Sequence, residues 1–281
     1  MKTLFYLTLI FLLQKSLLAQ DYFRPPEEAI ADLEDGEFSD KVAEKKKVQD
    51  KSKTIGKLSQ KNDLQILYTN NFYQYSQEGS GVTYDLENSS GAGLYLKYDY
   101  WLEYNKNQLS FTYYSTNSAF KEPVNIGGKN VDIKRRYFNA SYVHFLSKKE
   151  YSVELGMGYL TQSPSSFSNQ QLVSDYKILG PSVGGKYKKL IYDRWTFTGK
   201  VSALIPIQFS EKQKTGYHDF SLYSQNSAMF SYAINEKLNF DVGVMLEYEI
   251  HKFSGTGERG VSDASDNYIN YSIPIGITYL F

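Results

Sequence analysis

The sequence has no cysteine, which excludes disulfide frameworks, thiolate nucleophiles, thiolate metal sites and lipidation at an N-terminal cysteine. Beyond the first twenty residues it also has no long hydrophobic run; none approaches the roughly 20 consecutive apolar residues that a spanning helix needs. Neither charge is in excess, with 31 Lys plus Arg against 31 Asp plus Glu, so no basic field attracts nucleic acid and none is expected as a partner. Histidine is scarce, at His144, His218 and His251 only. No zinc, EF-hand, Walker or dinucleotide spacing is present. The glycine-rich SGTGERG at 254–260 lies in an expected loop with no helix after it to bind phosphate. No cofactor and no metal is expected.

Aromatic residues are abundant: 26 Tyr and 17 Phe bring the aromatic share to 16%, a composition suited to a pleated, half-buried surface. The opening MKTLFYLTLIFLLQKSLLAQ joins a cationic Lys2, an apolar run from Leu4 to Leu13 and a small Ala19. That is the layout of a secretory signal, residues 1–19, cleaved after Ala19. Removing it deletes Lys2 and Lys15, so 31 minus 2 leaves 29 cationic residues against 31 acidic ones, a formal charge of about minus two. Residues 20–63 then read as a polar periplasmic leader, disordered or in short helices. It holds Pro25, Pro26, an acidic stretch from Glu27 to Glu37 and the basic KVAEKKKVQDKSK. Proline is tolerated in a first helical turn, but helices this short are marginal alone. A docking role toward a periplasmic partner or a barrel mouth is the alternative reading.

From Leu64 onward the pattern is alternation, the mark of a strand with two unlike faces. In NYINYSIPIGITYLF, Ile269, Tyr271, Ile273, Ile275, Ile277, Tyr279 and Phe281 share one face, and Asn270, Ser272, Gly276 and Thr278 the other. KLNFDVGVMLEYEIHKF, YSVELGMGYL and LYLKYDYWLEY repeat the rhythm. In WTFTGKVSALIPIQF the apolar set is read as Trp195, Phe197, Val201, Ala203, Ile205, Ile207 and Phe209. These stripes run about nine or more residues, the length of a tilted membrane strand and longer than most soluble ones. The spacing predicts strands at 64–75, 91–104, 108–118, 134–146, 151–163, 175–189, 195–210, 220–234, 238–253 and 267–281. Pro181, Pro206 and Pro274 fall inside them, where each removes a ladder donor and predicts a bulge or distortion.

Five long connections (76–90, 119–133, 164–174, 211–219, 254–266) alternate with four short ones. The expected fold is all-β: a closed antiparallel transmembrane β-barrel of about ten strands over 64–281, with both ends on the short-turn side. Its polar lumen is expected to hold Lys97, Asp99, Glu103, Glu154, Lys186, Lys200, Asp241, Glu247 and Glu249. A barrel this narrow is largely filled by its own side chains, so paired charges are expected to plug it.

On these features the chain resembles the small outer-membrane β-barrel proteins of Gram-negative bacteria. The resemblance covers the signal and roughly residues 64–281. The terminal Ile277, Tyr279 and Phe281 are similar to that class's C-terminal assembly signal. It implies outer-membrane lipid and lipopolysaccharide as surroundings, and barrel assembly machinery and periplasmic chaperones as partners in biogenesis. The expected role is a non-enzymatic envelope or surface-interaction barrel with five extracellular loops. A narrow, porin-like pore for ions or small solutes is the alternative. The omptin surface proteases resemble this architecture too. Here the adjacent His218 and Asp219 diverge in an extended segment, Asp132 lies in another loop and the paired acidic motif is missing. No serine stands out as a nucleophile, no catalytic residue is assigned, and His144 and His251 are read as polar rim residues. A secreted soluble β-sandwich is the remaining alternative class.

Overall fold

The computed structural model describes residues 62–80, 82–87, 91–103, 106–121, 130–146, 150–164, 173, 175–212, 214–258, 260 and 262–281. The signal (1–19) and the leader up to residue 61 lie outside the described residues. Strands form as the alternation dictates: β1 Asp63–Gly79, β2 Val82–Glu87, β3 Gly91–Glu103, β4 Asn107–Lys121, β5 Asn130–Phe145, β6 Tyr151–Pro164, β7 Tyr176–Tyr192, β8 Trp195–Leu204, β9 Gln208–Glu211, β10 Tyr217–Ala233, β11 Leu238–Ser254 and β12 Ser265–Leu280. Neighbours pair antiparallel in the order β12-β11-β10-β8-β7-β6-β5-β4-β3-β1. Pairing of β1 with β12, from Asp63↔Leu280 to Glu78↔Ser265, closes the ring. β9 continues the stave begun by β8, so the closed barrel has ten staves. Both barrel ends meet at one rim, where the Phe281 amide donates to the Asn62 carbonyl at 3.0 Å.

The two faces differ as lipid differs from water. Outward positions are apolar and bare, among them Leu155, Val201 and Val244 at 61%, 65% and 59% exposure. Each such side chain left in water forgoes roughly 1.5–3 kcal/mol of burial, so a continuous outer band of them excludes a soluble sandwich and requires hydrocarbon. Inward positions bury polar groups: Thr69 and Asn71 on β1, Gln108 to Ser118 on β4, Asn139 and Ser141 on β5, Asn270 and Ser272 on β12. Closure satisfies the backbone in that medium, where each unpaired group costs several kcal/mol.

Three features depart from the sequence reading. The connection at 76–90 is not all loop: β1 runs on to Gly79 and β2 folds back on it, pairing Gln74↔Glu87 to Gly79↔Val82. Pro206 splits the expected 195–210 strand into β8 and β9. Ile205 and Ile207 face outward at 52% and 71% exposure, and the break reverses the alternation. Phe209 therefore turns inward against the buried core, correcting its assignment to the apolar face. Pro274 shows the expected distortion, the β11–β12 ladder skipping from Val242↔Ile275 to Met245↔Ser272 without changing register, whereas Pro181 departs from the expectation on its β6 side, where the register runs unbroken through Met157.

The short turns are built from polar side chains. Asn235 Oδ1 accepts from the amides of Lys237 and Leu238 at 2.8 and 3.0 Å, and Asp193 takes a positive φ of 33° between β7 and β8.

Candidate functional site

Three layers fill the bore. Near the rim that carries the termini, a cavity of about 190 Å³ is lined by Asp63, Lys97, Asp99, Lys186, Lys188, Arg194 and Lys200 among others. Lys97 is paired with Asp99 and Lys200 with Glu154 at 2.6 Å. Lys186 lies opposite Lys200 in register and 5.4 Å from the Phe145 ring centroid. Asp241 accepts from Gln65 at 3.1 Å and from Thr278 at 2.5 Å.

The middle layer is tyrosine. Tyr95, Tyr114, Tyr137 and Tyr223 are buried with Leu160, Ile178, Leu204 and Met245, the Tyr137 and Tyr223 rings 4.9 Å apart. Of their hydroxyls that of Tyr223 meets Glu247, which accepts from it and from Asn270, each at 2.5 Å. Tyr114 donates onward to Asn71 at 2.8 Å.

The third layer, toward the long loops, is a single buried network around Glu249. Arg135 on β5 pairs with the Glu249 carboxylate on β11. Its other guanidinium nitrogen donates to Gln162 at 2.6 Å and Tyr176 at 2.9 Å, and its Cζ lies 3.6 Å from the Tyr268 ring centroid. Tyr176 donates to Glu249 Oε1 at 2.8 Å. His251 Nε2 meets the same oxygen at 2.7 Å, while its Nδ1 lies 2.5 Å from Ser221 Oγ. The exposed His218 places Nε2 2.5 Å from that hydroxyl and stacks its ring on Phe209 at 4.2 Å and 3°.

Of the charged residues expected in the bore, Lys97, Asp99, Glu154, Lys186, Lys200, Asp241, Glu247 and Glu249 all lie on the inward face. Glu103 does not. A register shift between Trp101 and Glu103 turns it out at the end of β3, where it bonds Lys106 at 2.7 Å and Asn107 at 3.1 Å. The Lys106 hydrogen bond and charge hold its carboxyl below the usual carboxylate range. His251 is not a rim residue but 3% exposed inside the bore; His144 is exposed and bonds Asn107 at 2.9 Å. His218 and Asp219 diverge as expected, with Asp219 accepting from Ser254 at 3.0 Å, and Asp132 is exposed on another strand.

Arg135, Tyr176 and Ser221 were not singled out from the sequence. Alternation did contain the first, since 135 shares the parity of the buried Tyr137, Asn139, Ser141 and Val143. Ser221 carried no such signal among so many serines. Among the described residues no three His, Asp or Glu side chains converge as a metal would require. A positioned hydroxyl, two imidazoles and a fixed carboxylate can instead hold and move protons.

No protein-family model and no curated protein matches the chain. Solved structures do align with it. The outer membrane protease OmpT from Escherichia coli is 10% identical, with 79% of this chain and 97% of that one covered and a TM-score of 0.47. The translocator domain of autotransporter NalP from Neisseria meningitidis is 14% identical, covering 86% and 98%, TM-score 0.39. The outer membrane protein OprG from Pseudomonas aeruginosa is 11% identical, covering 79% and 96%, TM-score 0.36.

Proposed function

We propose that this chain is a Gram-negative outer-membrane envelope barrel with a sealed bore, its termini in the periplasm and its long connections forming five loops at the cell surface. The observation that carries the sealed reading is the filling of the lumen: above the 190 Å³ cavity, buried tyrosines and then the Arg135–Glu249 network occupy the bore. A continuous water path is what conduction needs, and a packed interior does not supply one. Surface interaction falls to the loops, which a rigid scaffold carries and which tolerate variation. The orientation follows from short turns on the periplasmic side and long loops outside. Ile277 and Tyr279 on the outward face of β12, with Phe281 just past its end, serve as the assembly signal for insertion machinery.

Planar-bilayer recording of heat-modifiable, folded protein tests the sealed bore, with no stable single-channel steps expected. Steps whose size changes on Lys200→Ala or Glu247→Ala would replace this reading with a narrow pore. Surface proteolysis of intact cells at the long connections checks the orientation.

A further inference from the structure

One tautomer of His251 gives the hydrogen bonds around Ser221 a single direction. With its proton on Nε2, neutral His251 donates to Glu249 and leaves Nδ1 to accept from the Ser221 hydroxyl, at 2.7 and 2.5 Å. The carboxylate is itself fixed by Arg135 and Tyr176. A hydroxyl within reach of a base, with the base oriented by a third group, is the arrangement that activates a serine.

A second, independent observation lies in the wall. The β8–β10 ladder ends at Leu204↔Tyr223, and β9 pairs with β7 alone. Residues 217–222 of β10 therefore have β11 on one side and no ladder on the other. Ser221 sits in this unpaired stretch. Outside it are the bare Ile205 and Ile207; inside are Phe209 and Phe253, 5.6 Å apart. Phe209 of β9 stacks on His218 of β10 across the break, so an apolar chain would meet hydrocarbon on both sides once that stack opens, and the edge of β10 without a ladder carries backbone N–H groups of the kind that serve an oxyanion.

We infer that Ser221 and His251, positioned by Glu249, form an acyl-transfer site that hydrolyses carboxylic esters of amphiphiles reaching it through the break between β9 and β10. Ser221 Oγ attacks the ester carbonyl carbon as its proton passes to His251 Nδ1. The tetrahedral intermediate collapses by breaking the acyl C–O bond, and the alcohol leaves with that proton. Water then attacks the acyl-serine, giving its proton to His251, and the carboxylic acid departs with Ser221 restored. His218 caps the hydroxyl from the exposed side and moves aside for substrate. The site does not depend on whether the bore conducts.

The test uses the full-length mature chain, folded in detergent and checked by heat-modifiable migration. An alkyl fluorophosphonate should label the wild type, with mass spectrometry placing the adduct on Ser221. p-Nitrophenyl esters of medium acyl chains should be hydrolysed. Ser221→Ala and His251→Gln should each lose at least about 100-fold in turnover, the low end of what a positioned base contributes. Glu249→Gln should lower kcat with KM unchanged. Folded wild type that takes no label, or takes it on another serine, overturns the proposal without relying on any variant's folding. So does ester turnover that survives in folded Ser221→Ala.

Discussion

The Arg135–Glu249 pair shows what single residues contribute here. Both groups are nearly solvent-free, at 3% and 0% side-chain exposure, and removing one partner strands a buried charge at a cost of about 3–5 kcal/mol. Glu249→Ala should therefore lower stability by that order in urea titration of the folded barrel. The double change Arg135→Met with Glu249→Leu should recover most of the loss; a single variant within 1 kcal/mol of wild type, by the same yardstick, would mean water reaches the network. Parity put Glu249 in the bore from sequence alone. It did not reveal the partner, because Arg135 lies 114 residues away and meets it only across the lumen. Glu103 and Phe209 were misread for a different reason: each follows a local irregularity that strict alternation does not foresee.

At the scale of the strands, ladder defects decide where the wall is weak. The missing donor at Pro206 was legible in the sequence; that the interruption also frees residues 217–222 of the next strand was not, since pairing partners are set by register. Backbone amides of 217–222 should accordingly exchange with deuterium faster than those of 224–232 in the same strand, measured by exchange mass spectrometry. Uniform protection along β10 would show the break to be bridged. The closing seam is the opposite case. A Cβ at Gly276 would come 2.0 Å from the Ile66 carbonyl oxygen, far inside contact distance, so the backbone of β1 or β12 must shift to admit it. Gly276→Val should slow or abolish folding into vesicles, read as loss of the heat-modifiable band, while Gly260→Val, in open space but at a positive φ of 71°, should preserve closure.

For the molecule as a whole, the inverted arrangement of apolar exterior and polar bore is the dominant energetic fact. Val244→Arg, on the outer band, should destabilise the barrel by about 2–4 kcal/mol if it lies near the bilayer midplane. The inward Thr198→Lys, beside the cavity, should cost far less, and equal losses in vesicle-folding equilibria would contradict a lipid-facing exterior. The inversion is already present in the residue pattern, because a period of two sorts side chains onto two faces before any strand finds a neighbour. Once strands of such length with unlike faces must hide their backbones from lipid, closure follows. Which inward groups meet is settled by the folded barrel. Arg135, Tyr176, Ser221, Glu249 and His251 come from four strands, and their distances depend on register, on the Pro206 break and on the narrow bore, none of which a local pattern encodes.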